Sequence, residues 1–180
     1  MVKIDSTCQK DDYLMNFVTN HDENSWNGTI EERMGDAAEL MTAFSYTIPG
    51  MPLIYSGQEY DMSHRLKFFE KDSIPKEKGE MWPLLEKLGQ LKSSNPALNG
   101  AKKAADYIRI ATTEDEKILA FKRLEEDKGI IFIAHMSDTE VEFNLELEGD
   151  FTDYMSGEAD SFNKDNTIIY PAWGYQILVK

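Results

Sequence analysis

The chain is poor in cysteine and has no long apolar run. Cys8 is the only cysteine, so an intrachain disulfide is excluded and the thiol is predicted to be inert. No C-x-x-C or histidine-rich spacing indicates a structural metal site. No stretch approaches the ~18 apolar residues of a membrane span, and the first residues lead into no signal-like run. We therefore expect a soluble chain without a membrane partner, in an unknown compartment, whose natural N-terminus lies further upstream.

Basic residues are also scarce. The sequence has 19 Lys and Arg against 33 Asp and Glu, which gives a formal net charge of -14. Such a charge repels phosphate backbones, so nucleic acids and anionic membranes are not expected as partners. Sugars remain candidate ligands because they are uncharged and bind through hydrogen bonds and ring stacking. An apolar content of 41% is typical of a folded globular protein.

The first half of the chain alternates strand and helix patterns. Apolar runs at residues 14–19 and 51–56 flank a helical pattern that begins with a capping box of Thr29 and Glu32. This strand–helix–strand order predicts two parallel strands joined by a right-handed crossover. A second helix is predicted to begin near Pro83 and to end before the Asn-Pro pair that follows it.

The second half of the chain shows short strand patterns separated by turns, which predicts a small antiparallel sandwich. The predicted strands lie at residues 108–111, 118–121, 129–134, 141–147, 167–170 and 175–179, and the predicted turns lie at 127–129 and 149–150. This change of pattern places a domain boundary between residues 1–100 and residues 101–180.

Polar residues gather where the first apolar run ends, at Asn20, His21 and Asp22. In a (β/α) barrel the active site forms at the C-terminal ends of the strands, so this is where chemistry is expected. The sequence FVTNHD at residues 17–22 resembles the last conserved motif of the α-amylase family of glycoside hydrolases. The sequence GMPLIYSGQE at residues 50–59 resembles the eighth-strand segment of that family, in the expected order and separation.

The resemblance implies a C-terminal fragment of such an enzyme. Its fold would be α/β plus all-β, with the last two strand–helix units of a TIM (β/α)8 barrel followed by a small antiparallel β-sandwich. Residues 88–98 are similar to the final barrel helix of the family and its exit into the tail domain. The parent enzyme would be a retaining glycoside hydrolase of the α-amylase type, acting on α-glucans such as starch or maltooligosaccharides.

The resemblance also implies roles for the matched residues. His21 would hydrogen-bond hydroxyls of the sugar at the cleavage point. Asp22 would be the third acidic residue, which grips that sugar as its ring flattens toward an oxocarbenium-like state. Further substrate contacts are expected from the remaining matched residues Asn20, Tyr55, Gln58 and Glu59.

The two carboxylates that break the bond in this family have no counterpart in the sequence. The nucleophile of the family stands in a Gly-x-Arg-x-Asp motif, and no arginine of this chain precedes an aspartate by two residues. We therefore predict no hydrolysis by the isolated chain, and self-association of an incomplete barrel. Neither a cofactor nor a metal is predicted here. The resemblance allows calcium in the full-length enzyme, where the family ligands lie mainly in an inserted domain.

Other interpretations stay open at this point. His21 could be satisfied by its neighbours and Asp22 could cap the next turn, while Gln58 and Glu59 could make structural hydrogen bonds at the barrel rim. Tyr55 could belong to the core, and Trp26 could either line the mouth of the site or pack against its surroundings. The alternative functions are a non-catalytic carbohydrate-binding or structural module derived from such an enzyme, and a related α-glucan transglycosylase.

Overall fold

The computed structural model describes residues 9, 12–100, 103–125 and 128–180. Cys8, and Asp127 of the first predicted turn, lie outside these residues. Within the described ranges, no helix is long and apolar enough to cross a membrane.

Three α-helices and ten β-strands occur in this part of the chain. The helices are α1 (Ile30–Met34), α2 (Ala38–Thr47) and α3 (Met81–Ser94). The strands are β1 (Met15–Asn16), β2 (Met51–Pro52), β3 (Ile108–Arg109), β4 (Ile118–Glu125), β5 (Lys128–His135), β6 (Val141–Phe143), β7 (Gly149–Asp153), β8 (Ala159–Phe162), β9 (Ile168–Tyr170) and β10 (Tyr175–Val179). A π-helical turn lies at Glu23–Asn27, and 3-10 turns lie at Gly35–Ala37, Gln58–Tyr60 and Pro96–Leu98.

The strand–helix–strand order is as predicted, but β1 and β2 span only two residues each, fewer than the predicted runs at 14–19 and 51–56. Strands β1 and β2 are parallel, with Met15 opposite Met51. The capping box is confirmed, because Thr29 Oγ1 accepts from the Glu32 N–H at 3.2 Å and the Glu32 carboxylate accepts from the Thr29 N–H at 2.8 Å. The crossover helix is interrupted, because Gly35 has a φ of 50° and a 3-10 turn separates α1 from α2.

Gly50 brings the two parallel strands together. Its φ is 120°, and a Cβ atom at this position would lie 2.5 Å from the Leu14 carbonyl oxygen. The same carbonyl accepts from the Met51 N–H at 2.8 Å. The Asn16 side chain donates to the Pro49 carbonyl at 3.0 Å and holds the same corner. A residue without a side chain is therefore needed where the crossover enters β2.

The second half of the chain forms a β-sandwich. A six-stranded antiparallel sheet has the order β3-β4-β5-β10-β7-β8, and β6 and β9 form a separate two-stranded sheet. The prediction of a turn at residues 149–150 is wrong, because β7 begins at Gly149, and the prediction lacks both β7 and β8. These strands are mainly polar, and β7 is fixed as a strand by its pairing with β10.

The helices and the six-stranded sheet share a hydrophobic core. One face of the sheet packs against α2 and α3 through a cluster that includes Leu40, Ala43, Leu84, Leu88, Phe121, Phe132 and Ile177. The opposite face packs against β6 and β9 through a cluster that includes Ile118, Ile133, Val141, Phe143, Tyr170 and Leu178. The two predicted domains thus contact each other through a continuous apolar layer, and the boundary between them stays a prediction.

Lys92 ties the last turn of α3 to the corner before β2. Its Nζ donates to the carbonyl of Gly50 at 2.7 Å and to the carbonyl of Tyr46 at 3.4 Å. Burial, with a smaller contribution from the charge of Arg123, lowers the pKa of Lys92 from 10.5 to about 8. Between these two pH values the unfolded chain binds more protons than the folded chain, so the Lys92 contribution stabilises the fold as the pH rises.

We expect this contribution to be measurable in urea denaturation. Between about pH 8 and about pH 10, the free energy of unfolding of the wild-type chain should rise relative to that of Lys92→Met by about 1 kcal/mol. This value allows for partial solvent screening of the ammonium group. The two chains share all other titrating groups, so their difference isolates Lys92. A difference that stays flat or falls over this pH range would show that the Lys92 pKa is not depressed.

Candidate functional site

The candidate site lies at the C-terminal edge of the β1–β2 pair. Because the two strands are parallel, the segments that follow them leave the pair at the same edge. The segment after β1 carries Asn20, His21 and Asp22, and the segment after β2 carries Tyr55 and the 3-10 turn Gln58–Tyr60. The structure therefore directs all six predicted site residues toward one edge.

His21 and Asp22 are accessible and close together. Their side chains are 65% and 61% exposed, and His21 Nε2 lies 3.7 Å from an Asp22 carboxylate oxygen. No hydrogen bond within the described part of the chain holds either side chain, and Asp22 does not cap the turn that follows it. The capping role belongs to Asn20, whose side-chain oxygen accepts from the Glu23 N–H at 2.8 Å. The interpretation of Asp22 as a cap is therefore wrong, whereas the contact of His21 with Asp22 leaves the local interpretation of His21 open.

This arrangement can bind a polyhydroxylated ligand. A carboxylate accepts hydrogen bonds, and an imidazole can donate from one ring nitrogen while it accepts at the other. At the observed separation, the Asp22 carboxylate and the His21 ring can reach adjacent hydroxyl groups of a single sugar ring. Both groups can make these contacts, because neither side chain makes a hydrogen bond within the described part of the chain.

Arg33 bridges the two sides of the pair, through the backbone of Val18 and the side chain of Glu23. Its guanidinium donates to the Val18 carbonyl at 3.0 Å and pairs with the Glu23 carboxylate at 3.0 Å. Val18 is buried and precedes the pair, whereas Glu23 directly follows it. Arg33 therefore contacts residues on both sides of His21 and Asp22. In the sequence, Arg33 is marked only by its position one helical turn after the capping residue Thr29.

The predicted contacts after β2 are less accessible. Gln58 is only 5% exposed, and Glu59 accepts from the Gly57 N–H at 2.8 Å. Tyr55 is half-buried. Among the described residues, no hydrogen bond or ion pair joins these three side chains to His21 or Asp22. Their proposed contacts with a substrate stay predictions.

A charged loop after β2 is anchored to the segment that carries His21. The buried Asn24 side chain accepts from the Leu66 N–H at 2.7 Å, and Ser25 Oγ donates to the Leu66 carbonyl at 2.8 Å. Arg65 donates two hydrogen bonds to the Glu32 carboxylate, at 2.9 and 3.2 Å. The Arg65 guanidinium is the main cause of the lowered pKa of Glu32. These contacts have no local sequence signal, because they join residues that are far apart in the chain.

Three aromatic residues lie beside His21 on these two segments, and we call them the aromatic patch: Trp26, Phe68 and Phe69. The centroid of Phe68 lies 5.7 Å from His21, 5.3 Å from Trp26 and 4.8 Å from Phe69. Trp26 is 57% exposed and Phe69 is 85% exposed, so neither belongs to the core. Trp26 packs against Phe68 and Phe69 but keeps more than half of its surface in solvent, so its role in lining the mouth of the site stays a prediction.

The described residues contain no group of three or more His, Cys, Asp or Glu side chains that could hold a metal ion.

Comparison with known proteins confirms the predicted fold class. No protein-family profile matches the chain. The α-amylase MalA of Haloarcula japonica is 26% identical over 149 residues, which cover 81% of this chain and 21% of MalA. The solved structure of the maltogenic α-amylase AmyB from Thermotoga neapolitana matches 99% of this chain and 44% of its own, with a TM-score of 0.81 and 18% identity. AmyP, solved in complex with maltose, matches 99% of this chain and 43% of its own, with a TM-score of 0.73 and 11% identity. The chain thus spans less than half of each of these proteins.

Proposed function

Because the chain has the fold of the C-terminal region of α-amylases, we propose that it forms part of a retaining glycoside hydrolase that cleaves α-glucans. In this proposal, His21 and Asp22 hold the sugar ring at the cleavage point. The observation that carries the proposal is the exposed pair itself, at the C-terminal edge of two parallel strands and without a hydrogen bond to any other described residue.

The physical role of the pair follows from the reaction. Cleavage of a glycosidic bond passes through an oxocarbenium-like state in which the sugar ring flattens. Hydrogen bonds that strengthen as the ring distorts lower the barrier, because they favour the transition state over the ground state. Asp22 supplies a charged acceptor for this purpose and His21 supplies a donor. Neither group breaks the bond.

The remaining catalytic groups come from additional barrel strands in this proposal. Retaining hydrolysis needs a nucleophilic carboxylate and an acid/base carboxylate about 5 to 5.5 Å apart. The β1–β2 pair and the residues that directly follow its strands expose four large apolar side chains that a neighbouring strand could cover: Met15, Phe17, Met51 and Ile54. Strands that pack there would bring the missing carboxylates to the same edge as His21 and Asp22. The chain alone is therefore inactive.

The proposed substrate is an α-glucan or a maltooligosaccharide. AmyP, a protein of similar fold, was crystallised with maltose. The exposed polar pair and the adjacent aromatic rings suit a neutral sugar better than an anion, given the formal net charge of -14.

A chimeric enzyme tests the proposal. In it, residues 12–180 of this chain replace the matching region of AmyB from Thermotoga neapolitana, and the remainder of AmyB is kept. We expect the chimeric enzyme to hydrolyse starch with the α-anomer as first product, and the isolated 180-residue chain to show no turnover. The control is AmyB truncated at the junction. A chimeric enzyme that melts cooperatively but leaves starch intact would refute the proposal, as would hydrolysis by the isolated chain.

A further inference from the structure

We propose that Asn99 is a site of spontaneous deamidation, and that the buried Arg123 guanidinium promotes the reaction. Asn99 lies where the chain passes from α3 into the sandwich, directly before Gly100. The product would be aspartate or isoaspartate at this position, formed with the uptake of water and the release of ammonia. The modification depends neither on sugar binding nor on hydrolysis of a glucan, so it goes beyond the proposed function.

Deamidation of an Asn-Gly pair begins at the glycine nitrogen. This nitrogen loses its proton to solvent base and forms a bond to the side-chain carbonyl carbon of the asparagine. The C–N bond of the side-chain amide breaks, the leaving nitrogen takes up a proton, and ammonia departs from a cyclic imide. Water then opens the imide at either carbonyl, which gives aspartate or isoaspartate. Glycine favours the ring closure because it has no Cβ atom and its backbone is free to turn.

The sequence has two Asn-Gly pairs, Asn27-Gly28 and Asn99-Gly100. Both asparagines are exposed, so neither sequence nor exposure distinguishes them. The groups that must meet in the reaction are the glycine nitrogen and the side-chain amide. The hydrogen bonds of these two groups therefore decide which pair reacts in the folded chain.

Hydrogen bonds restrain the first pair. The Gly28 N–H donates to the Glu23 carbonyl at 2.9 Å, and the Asn27 side-chain amide donates to the Glu23 carboxylate at 3.1 Å. The capping box of Thr29 and Glu32 follows directly and holds the backbone on the other side. Ring closure at Asn27 requires both bonds to Glu23 to break, which adds to the barrier.

The second pair has no such restraints. Asn99 follows the 3-10 turn Pro96–Leu98 in an extended conformation, with a φ of -54° and a ψ of 158°. Within the described part of the chain, neither the Asn99 side chain nor the Gly100 N–H makes a hydrogen bond. A Cβ atom at Gly100 would clash with the Tyr13 ring, so the fold itself requires a glycine after Asn99. The attacking nitrogen and the amide can thus approach each other without the loss of a hydrogen bond.

Arg123 contacts the carbonyl oxygen of the peptide that must lose its proton. Its Nη2 donates to the Asn99 carbonyl at 3.4 Å from a fully buried position. Burial lowers the pKa of Arg123 only to about 10, so the guanidinium is charged at mildly alkaline pH. When the Gly100 nitrogen is deprotonated, resonance shares the negative charge with the Asn99 oxygen. A cation that is hydrogen-bonded to this oxygen favours the anion, and the anion is the reactive form.

The full 180-residue chain tests the proposal by mass spectrometry. It is incubated at mildly alkaline pH and digested, and the peptides that contain Asn27 and Asn99 are followed over time. The same incubation in concentrated guanidinium chloride gives the rates for the unfolded chain, which should be similar at the two sites. In the folded chain, Asn99 should react at least as fast as in denaturant, whereas Asn27 should react at least about tenfold more slowly than in denaturant.

Asn99→Gln is the matched control, because glutamine keeps the amide but would have to close a larger ring. Its peptide should gain no mass, while the Asn27 peptide behaves as in the wild type, and amide spectra report the fold of both chains. Equal rates at the two asparagines in the folded chain, or a faster reaction at Asn27, would overturn the assignment of Asn99. A reaction at Asn99 that is faster than at Asn27 but slower than in denaturant would overturn the role of Arg123 alone.

Discussion

Asp22→Asn is expected to lower the turnover number of the chimeric enzyme on starch at least about 100-fold, with a much smaller change in KM. The amide keeps the size of the side chain and one acceptor oxygen but removes the negative charge. That charge interacts most strongly with the sugar when positive charge develops on the ring, so its loss affects the transition state more than bound substrate. The fold should not change, because the Asp22 side chain is 61% exposed and makes no capping hydrogen bond.

Asp138→Asn is the matched control, because Asp138 is an exposed aspartate of the sandwich region. It should leave both kinetic parameters within about twofold of the unsubstituted chimeric enzyme. Thermal melting should be the same for all three proteins. Near-normal turnover by Asp22→Asn, in a chimeric enzyme that is itself active, would remove the role assigned to this carboxylate.

Arg123→Met is expected to reduce the free energy of unfolding of the chain by about 3 kcal/mol or more. Arg123 is fully buried in β4, and its guanidinium donates to the carbonyls of Thr47 at 3.0 Å, Ala105 at 3.3 Å and Asn99 at 3.4 Å. Thr47 ends α2, whereas Asn99 and Ala105 flank the passage into the sandwich. Burial lowers the pKa of Arg123 to about 10, so the group stays charged at neutral pH.

The expected loss has a specific origin. Methionine fills much of the same volume, so the main cost is the loss of charge-assisted hydrogen bonds and the burial of unsatisfied carbonyls. The loss of the hydrogen bond to the Thr47 carbonyl should cost the most, because Thr47 is fully buried and water cannot replace the guanidinium there. Lys128→Met, at an exposed position of the neighbouring strand β5, should change stability by less than about 0.5 kcal/mol. An equally small effect of Arg123→Met in urea denaturation would show that the two halves do not depend on this residue.

Local signals predicted the first half of the fold well. The capping box at Thr29 and Glu32 specified where the crossover helix begins, and the proline-containing start of α3 specified the second helix. The strands β7 and β8 could not be predicted in this way, because their strand conformation depends on a partner, β10, that follows them in the chain. The burial of Arg123 could not be predicted either, because its three carbonyl partners lie in distant segments and leave no pattern in the sequence.

The candidate site shows the same division. The polar cluster at the end of the first strand pointed to Asn20, His21 and Asp22. In the structure, Asn20 caps the next turn, whereas His21 and Asp22 are exposed and make no hydrogen bond with the other described residues. Of the aromatic patch, the sequence indicated Trp26 alone. Phe68 and Phe69 join it only because hydrogen bonds to Leu66 fold their loop against the turn that carries Trp26.

A crystal structure of the chimeric enzyme with a bound maltooligosaccharide tests the central claim most directly. We expect one glucose ring at the edge of the β1–β2 pair, with its hydroxyl groups within hydrogen-bond distance, about 2.6 to 3.2 Å, of both His21 Nε2 and the Asp22 carboxylate. A sugar bound elsewhere, with both side chains left in contact with solvent alone, would contradict the account.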